Sequence, residues 1–425
     1  MKDSDTQRAI DAVWRIESAR LIAGLARLVR DVGQAEELAQ DALVAALEQW
    51  PESGIPDNPG AWLMATAKHR AIDLLRRRTL ADRKHEQLGY ETDVRNTSAD
   101  EDRDEELDDD IGDDLLRLIF AACHPILSPE GRVALTLRLI GGLTTDEIAR
   151  AFLVPEATMA QRIVRAKRTL SEAQVPFEIP RGPQLADRLA SVLQVIYLIF
   201  NEGYSATAGE DWVRPALCED ALRFGRILAA LVPNEAEVHG LVALMEFQAS
   251  RLRTRVDSSG QPILLPDQDR SKWDQLLIHR GFAALERAES FAGTRGQYTI
   301  QALIASCHAR ARTAETTEWI RIAALYAALS QLTPSPIVEL NRAVAIGMAF
   351  GPEAGLDIVD RLTSEPTLKD YHLLPTVRGD LLEKLGRRHE ARLEFEKAAS
   401  LTRNARERRF LLERAAKSHD ATPSG

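Results

Sequence analysis

Aromatic side chains are scarce in this sequence, with six Trp, six Tyr and eleven Phe in 425 residues. Glycine (24) and proline (19) are also few. An all-β sandwich or barrel needs aromatic strands and frequent turn residues, so that class is disfavoured. A sheet that reads RNA by stacking bases on aromatics is as poorly supplied. The three cysteines, Cys123, Cys218 and Cys307, stand far apart with no CxxC pair. Zinc ribbons, thioredoxin-type sites and a disulfide framework fall away with that pattern. No metal is expected at Cys123-His124 or Cys307-His308, because adjacent helical residues diverge by about 100°. Long apolar runs are missing too. The richest, Leu189 to Phe200, is 12 residues, short of the ~20 that span a bilayer. The charged start Met1-Lys2-Asp3-Ser4-Asp5 lacks a signal-peptide core. A cytoplasmic protein without a membrane partner is expected. No H-E-x-x-H, G-x-S-x-G or G-x-G-x-x-G occurs, so neither an enzyme nor a cofactor is anticipated.

What remains is an ordinary globular balance, 45% hydrophobic and 28% charged, long enough for roughly three domains. The expectation is an all-α protein. The formal charge of −10 argues at first against nucleic acid. Glu91 to Asp114, however, holds 13 acidic residues and two arginines, so the rest of the chain is nearly neutral. Such a run repels itself and buries little, and reads as a flexible tether. Composition leaves open whether it only solubilises or lies in a basic channel of a partner.

Past the tether, Thr144 and Thr145 with Asp146 and Glu147 form a helix start. Leu153-Val154-Pro155 ends that helix, and Pro155 suits the first turn of the next. There Met159, Ile163, Ala166 and Leu170 turn inward. Thr158, Gln161, Arg162, Arg165 and Arg168 are left outside, with Lys167 beside them. Such a two-helix unit suits the major groove, with Arg for guanine and Gln for adenine. A solvated basic hairpin is the plainer alternative. Before the tether, Glu37, Gln40 and Asp41 share one face of a helix running to about Trp50. That face suits a basic partner helix or plain solvent. A turn-rich loop, Pro51 to Pro59, leads to a helix from Ala61 to about Thr79. It buries Leu63, Ala67, Ala71 and Leu74 and exposes Thr66, His69, Arg70, Asp73, Arg76 and Arg77.

Together these blocks resemble a bacterial RNA polymerase sigma factor of the extracytoplasmic-function (ECF) type. Glu37-Leu38-Ala39-Gln40-Asp41 resembles the segment that docks on the β′ clamp helices, which implies core-polymerase binding by Glu37, Gln40 and Asp41. Trp62-Leu63 and Ala71 to Arg77 resemble the −10 segment, which implies −10 DNA contacts by Trp62, Thr66, His69, Arg70, Asp73, Arg76 and Arg77. Leu143 to Leu170 resembles the −35-reading helix-turn-helix, which implies contacts by Glu156, Thr158, Gln161, Arg162, Arg165, Lys167 and Arg168. The resemblance further implies that the Pro51–Pro59 loop captures a flipped base and that the second domain lies on the β flap. The tether would thread the channel through which RNA later exits. His69 stands where the family usually has Asn, and Leu153 where the turn often has Gly.

Four segments follow: region 2 in 1–90, an acidic linker in 91–114, region 4 in 115–178, and an extension in 179–425. The extension resembles a subgroup with tetratricopeptide-like hairpins, through Ile196 to Tyr204 and Pro334 to Ala343. Gly379, Leu382, Gly386, Ala391, Phe395 and Ala398 follow the spacing of one such unit. Asn201-Glu202-Gly203-Tyr204 reads as a helix-ending turn, with an active site as the less favoured alternative. A regulatory role is expected for the extension, its ligand being an unidentified protein or small molecule. The competing account is a stand-alone helix-turn-helix regulator with a helical-repeat sensor, which leaves residues 1–90 unexplained.

Overall fold

A computed structural model describes residues 2–86, 107–152, 154–205, 208–209, 212–258, 260–293 and 295–420. The chain divides into two compact units, residues 1–196 and 197–425.

In the first unit, α1 (Lys2–Val29), α2 (Val32–Ser53) and α3 (Pro59–Glu86) pack on one another. Asp31 sets the start of α2, its Oδ1 accepting from the Gln34 amide at 2.9 Å. Helix α2 absorbs Pro51 and ends at Gly54, whose φ of +85° breaks the helix. The connecting loop is therefore only residues 54–58, shorter than the expected Pro51–Pro59. Asn58 Oδ1 then accepts from the Ala61 amide at 3.0 Å.

Helices α4 (Leu107–Ala122), α5 (Pro129–Leu139), α6 (Thr145–Ala151) and α7 (Glu156–Glu172) follow. The linker needs correction at its end, because residues 107–114 are already helical. Its last acid, Asp114, is buried and pairs with Arg27 of α1 at 3.3 Å and with Arg117 at 2.5 Å. At this one acid of the run, two cations offset the repulsion that the composition suggested. Residues 91–106 lie outside the described residues, as does Leu153. Ser128 caps α5, accepting from Gly131 N at 3.1 Å, with Pro129 in the first turn. At α6, Thr144 Oγ1 accepts from Glu147 N at 3.1 Å while Glu147 Oε2 accepts from Thr144 N at 2.8 Å. This reciprocal pair is a capping box.

Helix α8 (Pro183–Tyr204) starts in the first unit. Arg188 donates to the Phe120 carbonyl at 2.8 Å and Ser191 to that of Cys123 at 2.7 Å. The extension expected from residue 179 thus has its first turns bonded to the preceding domain. Gly203 does not end α8. It lies within the helix, and a Cβ there would meet Cys218 N at 2.8 Å. The glycine makes room for the next helix.

The second unit continues through α9 (Pro215–Leu231), α10 (Ala236–Ala249), α11 (Gln275–Glu289), α12 (Gln297–Arg310) and α13 (Trp319–Leu332). It ends with α14 (Pro336–Phe350), α15 (Pro352–Leu362), α16 (Leu373–Lys384), α17 (Arg388–Leu401) and α18 (Ala405–Asp420). From α12 on, each packs on its neighbours in sequence, as stacked hairpins do. Small residues sit where helices cross: a Cβ on Gly379 would meet the Phe395 ring at 2.7 Å, and one on Gly355 the Gly347 Cα at 2.9 Å. The only described strands are two residues each, Ala208–Gly209 and Arg403–Asn404.

Candidate polymerase and promoter interface

Helix α2 turns Ala35, Leu38, Ala39 and Ala42 inward and leaves Glu37 and Asp41 exposed. Gln40 is half-buried, its amide donating to Glu36 Oε1 at 2.5 Å. Asp41 reaches Arg70 of α3 at 3.4 Å, joining two faces that the sequence reading kept apart.

On α3, Thr66, His69, Arg70, Asp73, Arg76 and Arg77 form one stripe opposite buried Leu63, Ala67 and Ala71. All but half-buried Thr66 are exposed. Trp62 is half-buried, edge-on to Trp50 with centroids 5.3 Å apart.

On α7, Met159, Ile163, Ala166 and Leu170 are buried as the spacing predicts. Glu156, Gln161, Arg165 and Arg168 are exposed, while Thr158 and Arg162 are half-buried. Arg162 and Arg165 border a groove with Ser128 and Glu130 at the start of α5. Arg168 pairs with Glu172 at 2.6 Å, which raises its pKa through that hydrogen bond.

Lys167 stands apart from this face. It forms an ion pair with Glu36 of α2, which is 2% exposed and also held by Arg138 at 2.6 Å. The sequence reading missed Glu36, although an acid among Ala35, Leu38, Ala39 and Ala42 was a usable signal. Further contacts join the two helical domains within this unit. Arg15 donates to Glu147 at 2.6 Å and Ser171 to Asp31 at 3.0 Å. Gly142, at φ +68°, lets the turn before α6 approach Ser18. Burial opposes ionisation of Glu147, yet the Thr144 amide and the Arg15 guanidinium outweigh it and hold the carboxyl below its ordinary range.

A three-helix block with a cationic stripe, docked on a helix-turn-helix with an outer basic face, defines a DNA-reading protein of two domains. Residues 16–80 match Sigma-70 region 2 and residues 117–170 match Sigma-70, region 4. Residues 188–289 match a family of unknown function, DUF6596. An uncharacterised protein, R00370, of Rhizobium meliloti (strain 1021) is 42% identical over 92% of this chain and 91% of its own. A probable ECF RNA polymerase sigma factor, SigI, of Mycobacterium tuberculosis (strain H37Rv) is 27% identical over 39% of this chain and 56% of its own. The ECF sigma factor SigK of Mycobacterium sp. (strain KMS) is 28% identical over 36% of this chain and 77% of its own. No solved structure matches. The chain belongs to the ECF RNA polymerase sigma factors and carries a C-terminal extension. That family is not one of enzymes, and its partners are core RNA polymerase and promoter DNA. Among the described residues, no helix is long and apolar enough to cross a membrane.

Proposed function

We propose that Glu37, Gln40 and Asp41 dock on the β′ clamp helices, that the α3 stripe with Trp62 engages the −10 element, and that α7 enters the −35 major groove beside the β flap. The observation that carries this reading is the alignment of the six polar residues from Thr66 to Arg77 on one face of α3, in the same chain as the exposed Gln161, Arg165 and Arg168 of α7. Lys167, held by Glu36, becomes free for phosphate only when α2 and α7 part.

The domains that carry the two readers touch in this structure, whereas −10 and −35 lie about 25 base pairs apart, roughly 85 Å at 3.4 Å per step. Residues 87–106 join α3 to α4, and about 20 extended residues span up to ~70 Å. With the width of each domain added, an opened chain reaches both elements. The docked arrangement is thus a resting form, and the extension regulates passage out of it.

Run-off transcription by the full chain with bacterial core polymerase on promoter fragments tests the reading. Promoter-specific transcripts are expected. Glu37→Ala with Asp41→Ala should weaken core binding at least tenfold, and Arg162→Ala or Arg165→Ala should lower −35-dependent output with core affinity retained. Absence of both initiation and co-elution with core would transfer the case to the stand-alone regulator.

A further inference from the structure

In the second unit, the turn after α10 carries Arg251 and Arg255, neither of which forms a hydrogen bond or ion pair through its side chain with any described residue. Arg251 is only 8% exposed. Arg255 lies over the Tyr204 ring at 3.7 Å, and Arg251 is 5.7 Å from both Tyr204 and Trp273. Arg270 lies 5.1 Å from the Trp273 ring and is tied down by the carbonyls of His308 and Ala311, at 3.0 and 2.9 Å.

Five nitrogens here are buried without a hydrogen-bond partner, and the first four are obligate donors: Nε of Arg251, Arg255 and Arg270, Nε1 of Trp273 and Nδ1 of His308. Buried polar groups are nearly always bonded, so such a concentration calls for a missing acceptor. Among the described residues, the only carboxylate bearing on Arg251 or Arg270 is exposed Glu315, which acts on Arg270. His308 supplies no charge of either sign, since burial and then Arg251 and Arg270 push its pKa down to about 3. Uncompensated buried guanidinium is costly. A stable core would replace it with apolar residues unless it served a ligand.

We infer that Arg251 and Arg255, backed by Arg270 and by the indole of Trp273, form a binding site for a small oxyanion, a phosphate or carboxylate group. Guanidinium forks match both oxyanions in shape, and Tyr204 and Trp273 hold the forks in place from one side. The site falls largely in the segment that matches DUF6596, a family of unknown function. Binding here does not depend on the promoter reading. It would give the extension a small-molecule input if that reading holds.

Calorimetric titration of the full chain tests it, with inorganic phosphate and succinate as separate probes against chloride at matched ionic strength. Saturable one-site binding of at least one probe is expected. Arg251→Met should weaken it at least tenfold, about 1.4 kcal/mol, and should melt no lower than the parent without ligand, since it removes an unpaired buried charge. Arg255→Gln, at a half-buried position, should weaken it as well and serves if the first variant does not fold. Phosphate binding alone marks a phosphate site and succinate binding alone a carboxylate site. No saturable binding of either probe would mean that the donors are hydrated and would overturn the inference. Binding that both variants leave intact would do the same. Failure of transcription with intact anion binding would instead count only against the promoter reading.

Discussion

Glu36 is an acid in an apolar stripe, and its burial is tolerated because two cations from the other domain meet it. Arg138 is 19% exposed and also donates to the Leu143 carbonyl at 3.0 Å. Removing one member of a buried pair leaves the other charge uncompensated, at a cost of about 3 to 5 kcal/mol. Because Lys167 remains, Arg138→Met should cost less, about 2 kcal/mol in urea unfolding of the first unit. Glu36→Gln, which leaves both cations without their counter-charge, should cost more, about 3 to 5 kcal/mol. A variant as stable as the parent would show that the pair is not closed in solution. His308 gives a second residue-scale expectation. Its folded pKa, near 3, lies below the ordinary 6.5. Its contribution is therefore fully present above pH 6.5 and is lost progressively as pH falls toward 3. The melting temperature of the second unit should drop between pH 6.5 and 4.5, and His308→Gln should flatten that slope. An unchanged slope would assign the acid sensitivity to the carboxylates.

At the scale of elements, α8 has its first turns in the first unit. Its Arg188 and Ser191 bond to carbonyls at the end of α4, and Arg132 of α5 donates to Ser191 at 2.6 Å. Hydrogen bonds involving charged groups contribute about 1.5 to 3 kcal/mol each. A chain ending at Pro180 should therefore unfold its region 4 at least 2 kcal/mol more easily than one ending at Ile196. Equal denaturation midpoints would make α8 dispensable to that domain. Here the sequence was legible only in part. The α6–α7 pair could be read because a capping box, Pro155 and an apolar spacing of 4, 7 and 11 are local signals. The α3 stripe was legible for the same reason. The end of the linker was not, since Asp114 becomes helical through Arg27, which lies 87 positions earlier. Gly203 misled because a glycine near a helix end suits a cap as well as a close helix crossing. Only the position of Cys218 distinguishes the two. The oxyanion cluster was invisible for a like reason, as Tyr204, Arg251, Trp273 and His308 converge from separate segments.

On the scale of the whole molecule, the proposed opening turns on the separation of α2 and α7. Among the described residues, the polar contacts between the two helical domains join Arg15 to Glu147, Asp31 to Ser171, Arg27 to Asp114, and Glu36 to Arg138 and Lys167, and α1 also packs on α4. Exposed pairs of this kind contribute about 0 to 1 kcal/mol each, so between α2 and α7 the buried Glu36 pairs hold most of the closure. The α2–α7 part of that interface is polar, so a partner offering comparable polar contacts could compete for it under the proposed opening. Dyes attached through Gln49→Cys on α2 and Ala173→Cys after α7 occupy exposed positions, and the three native thiols are buried. Gln49 lies 13 residues along α2 from Glu36, about 20 Å at 1.5 Å per residue. Energy transfer in the free chain should then report a separation below roughly 40 Å, and it should fall sharply when core polymerase and promoter DNA are both added. Core alone producing the full change would place opening at polymerase binding, before DNA is met. High transfer that persists in a complex active in transcription would show that the two domains read the promoter without parting, and the resting-form account would then be wrong.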